Sequence, residues 1–325
     1  MRDAHGRHID YIRLSVTDRC NLRCTYCMAE DMAFLPRREL LSFEEIETLS
    51  RQLVGRGIRR IRLTGGEPLV RKGILDLVQR LTRLRDHGLE EVTLTTNGTR
   101  LPELARELTE AGVRRINVSL DTLDPERFAR ITRRDEFARV VCGIEAALEA
   151  GLSVRINTVA MRGVNEDELP ALLGWCGERG CDLALIEAMP LGEVAIDRQS
   201  AHLGLDEVRA RLAQDFTLVP SLHRTAGPAR YCDVAETGTR VGFIAPMTNN
   251  FCAGCNRIRI TATGTVYGCL GHDQKVELRD IIRSGGEDAL DAALAQLLAG
   301  KPLRHDFDLA RSDPALARHM SVTGG

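Results

Sequence analysis

Strand-like and helix-like segments alternate along the chain from residue 10 to about residue 190. Six short segments have strand patterns, YIRLSVT, RRIRLTG, EVTLTTNG, RRINVSLD, SVRINTVA and DLALIEAMP, and the amphipathic stretches between them often end in glycine. Repeated β–α units predict a parallel sheet whose crossover connections are right-handed. A doubly wound sheet and a curved, partial barrel both agree with this order.

The two faces of the predicted strands differ in polarity. In the first strand Ile12 and Leu14 share one face while Arg13 lies on the other, and the next four strands alternate in the same way. A parallel sheet covered by helices on both faces reads as nearly continuous apolar runs, whereas a barrel with outer helices keeps a polar face toward its lumen. We therefore predict an α/β fold, with a partial (βα)6 barrel of the TIM type over residues 1–230 and a C-terminal extension over residues 231–325.

The polar strand faces predict a cationic lumen in a chain whose net charge is only −2. Four arginines lie on these faces: Arg13, Arg60, Arg62 and Arg155. Unpaired guanidinium groups are costly to bury, so they need anionic partners. Few carboxylates share these faces, which favours a polyanionic ligand such as a triphosphate over pairing with protein carboxylates or exposure of the sheet face.

Six of the ten cysteines form two groups near opposite ends of the chain. Cys20, Cys24 and Cys27 have the spacing C-x3-C-x2-C, and the second group, C-x2-C-x13-C, consists of Cys252, Cys255 and Cys269. Each group has three thiols, one fewer than normally complete an iron–sulfur cluster or a structural zinc site. Each group therefore predicts either a cluster with an open position or a zinc site completed by a distant residue.

Charge and hydropathy exclude several classes of function. The near-neutral charge and the lack of a basic tail argue against a nucleic-acid partner. No apolar run approaches a membrane span, and the first residues, MRDAHGRHIDYIRLS, have no signal-peptide core. We expect a cytoplasmic protein without a membrane partner, in a reducing compartment where grouped cysteines more often bind metal than form disulfides.

The first cysteine group lies in a segment that resembles a known superfamily. Thr17–Cys27 reads TDRCNLRCTYC and is similar to the cysteine loop of radical S-adenosylmethionine enzymes. The resemblance implies a 4Fe–4S cluster on the three cysteines, whose open iron binds S-adenosylmethionine. It also implies cofactor contacts from four further positions: Tyr26, Gly66 in the GGEP segment, Ser119 and Met189.

The second cysteine group narrows the resemblance. The segment FCAGCNRIRITATGTVYGCL, residues 251–270, resembles the GTP 3′,8-cyclase family of molybdenum cofactor biosynthesis, and the similarity extends from about Arg7 to Gly325. It implies a second, substrate-binding 4Fe–4S cluster on these cysteines and a double glycine, Gly324–Gly325, that reaches the active site. The implied GTP contacts are Arg13, Arg60, Arg62, Thr95, Arg155, Arg257, Ile258 and Arg259, of which Arg257 and Arg259 have catalytic roles.

The family resemblance also implies a reaction and partners. The reaction forms (8S)-3′,8-cyclo-7,8-dihydroguanosine 5′-triphosphate from GTP through a 5′-deoxyadenosyl radical that abstracts hydrogen from C3′. The expected partners are GTP, a reductant such as flavodoxin or ferredoxin, cyclic pyranopterin monophosphate synthase as the next enzyme, and a second copy of the chain in a homodimer. The alternatives are a peptide-modifying radical enzyme with an auxiliary cluster and, more distantly, a zinc-stabilised binding module.

Overall fold

A computed structural model of the protein describes residues 1–192, 194, 197–284, 286–308 and 314–323. Within these residues, twelve strands form one sheet. The strands are β1 (Tyr11–Ser15), β2 (Arg60–Thr64), β3 (Glu91–Thr96), β4 (Arg115–Ser119), β5 (Ser153–Ala160), β6 (Asp182–Glu187), β7 (Leu218–Pro220), β8 (Arg230–Val234), β9 (Arg240–Ile244), β10 (Arg257–Ile260), β11 (Thr265–Tyr267) and β12 (Lys275–Glu277).

Helices connect and follow the strands. They are α1 (Phe43–Gly55), α2 (Ile74–Thr82), α3 (Leu101–Glu110), α4 (Pro125–Thr132), α5 (Phe137–Glu149), α6 (Leu169–Glu178), α7 (Arg198–Ala201), α8 (Leu205–Leu212), α9 (Arg279–Ser284), α10 (Glu287–Ala299) and α11 (Met320–Thr323). Short 3-10 turns span Arg37–Glu39, Pro68–Val70, Arg83–His87 and Cys252–Gly254. None of the helices in the described ranges is long and apolar enough to cross a membrane.

The centre of the sheet is parallel and its margins are antiparallel. The strand order is β12-β11-β10-β1-β2-β3-β4-β5-β6-β9-β8-β7. The six strands β1 to β6 are parallel neighbours, and β10 and β9 extend them in parallel beside β1 and β6. The predicted α/β fold, a partial barrel of six β–α units with a C-terminal extension, is confirmed.

The apolar strand faces pack beneath the helices, as the alternation predicts. Ile12, Leu14 and Leu63 are buried in one apolar core together with the inner stripes of α1, α2, α3 and α5. Helix α1 begins at a capping box in which the Ser42 hydroxyl accepts from the Glu45 amide and the Glu45 carboxylate accepts from the Ser42 amide. The core leaves the opposite, polar face of the strands free to form a site.

The C-terminal extension shares the sheet with the barrel strands. A hairpin that turns at Thr263–Gly264 joins β10 to β11, with Gly264 at a φ of 91°. The sequence pattern did not indicate that β10 pairs in parallel with β1. The predicted boundary between residues 230 and 231 falls at the first residue of β8 and stays a prediction.

Candidate active site

A cavity of about 280 Å³ opens on the polar face of the sheet and brings the two cysteine groups together. Its walls come from the ends of the parallel strands and from the loops that follow them, the position where barrel active sites lie. Sixteen predicted site residues line it: Arg13, Cys20, Cys24, Tyr26, Cys27, Arg62, Gly66, Thr95, Ser119, Arg155, Met189, Cys252, Cys255, Arg257, Arg259 and Cys269.

Two residues predicted to contact GTP do not line the cavity. Arg60 is paired with Asp10 at 3.0 Å and with Glu90 at 2.7 Å, so the expectation that the lumen arginines lack carboxylate partners is wrong for Arg60. Ile258 is buried in the apolar core, on the opposite face of β10 from Arg257 and Arg259. The predicted contribution of Gly324–Gly325 lies outside the described residues.

The first cysteine loop is supported by the GGEP segment after β2. The Gly66 amide donates to the Thr17 carbonyl at 2.8 Å, and the Glu67 amide donates to the Arg19 carbonyl at 2.8 Å. A Cβ atom on Gly66 would overlap the Arg19 carbonyl oxygen, so glycine is what allows the two backbones to approach. The segment therefore positions the cysteine loop as well as lining the cavity.

Buried Glu67 connects this support to the end of β3. Its carboxylate accepts from the Thr96 hydroxyl at 2.7 Å and from the amides of Asn97 at 2.6 Å and Leu69 at 3.0 Å. Burial raises the pKa of Glu67 to about 7 despite these donors. The Asn97 side chain in turn donates to the Cys20 thiol at 3.7 Å. Sequence reasoning missed Asn97, although it lies at the end of the predicted strand segment EVTLTTNG.

The thiols of the first group lie in an environment that disfavours negative charge. Burial, together with the charge of Glu67, raises the pKa of Cys20 to about 11. Burial and the other cysteine charges raise the pKa of Cys27 to about 12 and that of Cys24 well above its usual value. Asp121, which accepts from the Tyr26 hydroxyl at 2.7 Å, adds to the negative potential at Cys24. A cationic metal is what converts such thiols into thiolate ligands.

The second cysteine group has cationic neighbours. Cys252 begins a 3-10 turn, Cys255 precedes β10, and Cys269 follows β11. Burial alone would raise the pKa of Cys255, but the charges of Arg257 and Lys301 outweigh it and lower this pKa to about 6. The Lys301 ammonium lies 3.6 Å and an Arg257 nitrogen 3.8 Å from the Cys255 sulfur.

Arg7 joins the second cysteine group to the N-terminus of the chain. Its guanidinium donates to the Cys252 carbonyl at 2.8 Å, to the Leu303 carbonyl at 3.0 Å and to the Pro302 carbonyl at 2.7 Å. A buried ion pair of 2.6 Å with Asp3 orients it. Sequence reasoning missed Arg7 and Lys301 as site residues because their acceptors include backbone carbonyls of distant segments, which leave no motif.

Adjacent strands bring three arginines into one row. Arg13 on β1 is in register with Arg259 on β10 and with Arg62 on β2. Burial lowers the pKa of Arg13 and of Arg62 to about 9 and that of Arg259 to about 10, so all three stay charged at pH 7. The row therefore concentrates positive charge on one wall of the cavity.

The arginine row has unused hydrogen-bonding capacity. The Nε atoms of Arg13 and Arg62 and the Thr95 hydroxyl are buried without a hydrogen-bond partner, and Arg155 donates to the Tyr231 hydroxyl at 2.7 Å. In the described part of the chain, no carboxylate forms an ion pair with Arg13, Arg62 or Arg155. Buried donors without acceptors fit an anionic ligand.

The donor chemistry fits two open iron–sulfur clusters. Each cysteine group presents three thiols to the same cavity, and three thiolates hold three of four irons while the fourth iron stays open to a ligand. Among the residues that the structure covers, no three histidine, cysteine or carboxylate side chains converge as ligands of a single metal ion.

Two family models match the chain in succession. The Radical SAM superfamily model matches residues 14–176, and the model described as Molybdenum Cofactor Synthesis C matches residues 181–307. A protein named GTP 3′,8-cyclase from Erythrobacter litoralis is 57% identical over 99% of this chain and 98% of its own length. One of the same name from Rhizobium meliloti is 54% identical, covering 100% of this chain and 94% of its own length.

Solved structures of radical S-adenosylmethionine enzymes share the fold. Streptococcus suis SuiB bound to S-adenosylmethionine matches 97% of this chain and 77% of its own, with a TM-score of 0.60 at 16% identity. The enzyme anSMEcpe with bound AdoMet matches 80% of this chain and 74% of its own, with a TM-score of 0.54 at 18% identity. At these identities the likeness shows the fold alone, whereas the family models and the full-length relatives show that the chain belongs to the GTP 3′,8-cyclase family of the radical SAM superfamily.

Proposed function

We propose that this enzyme converts GTP into (8S)-3′,8-cyclo-7,8-dihydroguanosine 5′-triphosphate, the first step of molybdenum cofactor biosynthesis. The observation that carries the proposal is the row of arginines in the cavity that both cysteine groups line. A triphosphate supplies the negative charge and the acceptor oxygens that this wall needs. The relatives named GTP 3′,8-cyclase support the same substrate.

The first cysteine group belongs to the radical-generating half of the site. As a radical SAM enzyme, the protein uses a 4Fe–4S cluster and S-adenosylmethionine. When bound, they supply a 5′-deoxyadenosyl radical. We propose that Cys20, Cys24 and Cys27 hold this cluster and that four cavity residues contact S-adenosylmethionine: Tyr26, Gly66, Ser119 and Met189. The hydrogen bond to Asp121 fixes the Tyr26 ring beside the cysteine loop.

The second cysteine group and the arginine row form the proposed substrate half. Cys252, Cys255 and Cys269 would hold a second 4Fe–4S cluster, whose open iron would take the guanine as a ligand. Arg13, Arg62, Arg155 and Thr95 would bind the triphosphate, and the buried Nε atoms of Arg13 and Arg62 would orient it. Since Arg60 has two carboxylate partners, its contact with GTP stays a prediction, as does that of Ile258.

Arg257 and Arg259 are the proposed catalytic residues. Both line the cavity, and Arg257 contacts the Cys255 sulfur at 3.8 Å, while Arg259 donates to the Thr323 carbonyl at 3.3 Å. Their charges would stabilise electron density that develops on the guanine as C3′ bonds to C8. An Arg259→Ala enzyme that cyclises GTP at the full rate would remove this role.

The wider proposal concerns partners and location. A reducing cytoplasm would keep the six cluster cysteines as thiols. Flavodoxin or ferredoxin would deliver electrons, the product would pass to cyclic pyranopterin monophosphate synthase, and two copies of the chain would form a homodimer. A peptide-modifying activity is the alternative, and the lack of carboxylate partners for Arg13, Arg62 and Arg155 within the described residues argues for a triphosphate over a peptide.

The test is the mass of 5′-deoxyadenosine formed anaerobically from S-adenosylmethionine, reductant and GTP deuterated at C3′. We expect one deuterium in the deoxyadenosine, because C3′ is the proposed site of abstraction. Unlabelled deoxyadenosine, formed at the same rate without GTP, would leave a radical enzyme but reject GTP as its substrate.

A further inference from the structure

Lys301 is an unusual cation in this protein. The chain contains 41 arginines and three lysines, Lys72, Lys275 and Lys301. Lys72 and Lys275 are exposed, whereas Lys301 is only 2% exposed. Burying a charge is costly unless it has a partner, so the position of this ammonium group needs a physical cause.

The partners of Lys301 belong to the second cysteine group. Its ammonium donates to the Cys255 sulfur at 3.6 Å and to the Gly268 carbonyl, which directly precedes Cys269. None of the described carboxylates forms an ion pair with Lys301, so a Cys255 thiolate is the counter-charge that the described residues offer. The Lys301 side chain thus connects Cys255 to the segment that carries Cys269.

The packing around Lys301 explains why its stem runs alongside this group. A Cβ atom on Gly268 would lie 3.3 Å from the Lys301 Cβ and 3.5 Å from its Cα and Cγ, so the stem lies directly against the glycine backbone. The backbone amide of Lys301 donates to the Leu298 carbonyl at 3.3 Å, which anchors the residue just beyond α10. The position therefore directs a compact point charge toward the sulfur.

We propose that Lys301 is a positioning residue of the second cluster, whose charge stabilises the Cys255 thiolate ligand and makes that cluster easier to reduce. The inference rests on the proposed second cluster. Hydrogen bonds to ligand sulfurs and nearby charge both set the potentials of iron–sulfur clusters. A fixed positive charge favours the reduced state because reduction adds a negative charge at short range in a medium of low dielectric constant.

The experiment isolates the second cluster in the full chain. Cys20, Cys24 and Cys27 are replaced by alanine, the protein is loaded with iron and sulfide anaerobically, and iron content and midpoint potential are measured. Lys301→Gln keeps a neutral donor, Lys301→Arg keeps the charge, and Lys275→Gln is the matched surface control. We expect Lys301→Gln to lower the equilibrium constant for one-electron reduction about tenfold, which is a shift of about 59 mV to more negative potential.

Lys275→Gln should leave the midpoint potential unchanged. The midpoint potential of Lys301→Arg should lie closer to that of the native protein than the potential of Lys301→Gln does. An iron-loaded Lys301→Gln protein with an unchanged potential would overturn the role of Lys301 alone. No iron with Lys301 intact would reject the second cluster and the inference with it. If Lys301→Gln binds no iron, loading of Lys301→Arg with the native potential supports the charge role. Loss of iron from both variants would assign Lys301 to packing and contradict the charge role.

Discussion

The two cysteine groups have the same number of ligands, but Cys20 and Cys255 have opposite electrostatic surroundings. Cys20 lies near the carboxylate of Glu67, and burial with this charge raises its pKa to about 11. Cys255 is buried to a similar degree, but the ammonium of Lys301 and the guanidinium of Arg257 lower its pKa to about 6. The number and spacing of the thiols thus indicate a cluster site, whereas the surrounding charges decide whether a given cysteine favours the thiol or the thiolate.

The two groups also differ in how the chain holds them. The first group is supported by backbone and side-chain hydrogen bonds from the segments after β2 and β3, within the barrel. The second is held by residues from both ends of the chain: Arg7 donates to the Cys252 carbonyl, and Lys301 contacts Cys255. The cationic surroundings of the second group suit an anionic substrate. Because Arg7 and Lys301 come from distant parts of the chain, the second group depends on the complete fold.

The largest expected effect concerns the cationic half of the cavity. Replacing Arg62 by alanine removes a buried guanidinium from the arginine row, so GTP should bind about 100-fold more weakly, equivalent to about 2.7 kcal/mol. Binding of S-adenosylmethionine should change less than twofold, or about 0.4 kcal/mol. Anaerobic equilibrium dialysis measures both affinities. The control is Arg106→Ala on α3, where the side chain is 89% exposed. Equal losses for both ligands would contradict the division of the cavity into two halves.

A second prediction compares the thiols directly in the iron-free protein. Cys255 should react with iodoacetamide about 30-fold faster than Cys20 at pH 7.5, since far more of it is thiolate, although a thiolate of low pKa is a weaker nucleophile. Its rate should rise with pH through about 6 and then level off, whereas the rate at Cys20 should still rise above pH 9. Peptide mass spectrometry measures both, and parallel pH profiles would reject the electrostatic contrast.

The smallest expected effect concerns the carboxylate beside the first group. Burial raises the pKa of Glu67 in the folded protein to about 7 from its ordinary value of 4.5. Between these values the folded protein keeps a proton that the unfolded chain has lost, so the free energy of unfolding falls as pH rises through this window. Glu67→Gln should flatten the fall by about 1 kcal/mol, as measured by denaturant unfolding of the iron-free protein at pH 5.5 and pH 6.5. Exposed Glu107→Gln is the control, and an unchanged slope in Glu67→Gln would show that Glu67 does not titrate there.

Sequence patterns predicted the parts of the fold and site that depend on local periodicity. The alternation within the strands placed Arg13 and Arg62 on the lumen face, and the cysteine spacing identified both groups. Arg60 lies two residues before Arg62 on the same strand, yet it pairs with Asp10 and Glu90 because those carboxylates come from neighbouring segments in the fold. Alternation specifies the face of a side chain and not its partner.

Long-range packing accounts for what the sequence did not predict. The parallel pairing of β10 with β1, which completes the arginine row with Arg259, depends on tertiary docking. Arg7 and Lys301 bond to backbone carbonyls that carry no sequence signal. The proposed charge contrast between the cysteine groups therefore became visible only in the folded structure.

The most direct test of the account is the dissociation constant of GTP for two triple variants, measured anaerobically on iron-loaded protein. Alanine at Cys252, Cys255 and Cys269 should weaken GTP binding about tenfold or more, because the proposed second cluster and its proposed guanine contact would be lost. Alanine at Cys20, Cys24 and Cys27 should leave the GTP affinity within about threefold of the native enzyme, a difference of about 0.6 kcal/mol. The reverse order, or equal losses in both variants, would contradict a cavity divided between a radical-generating half and a substrate half.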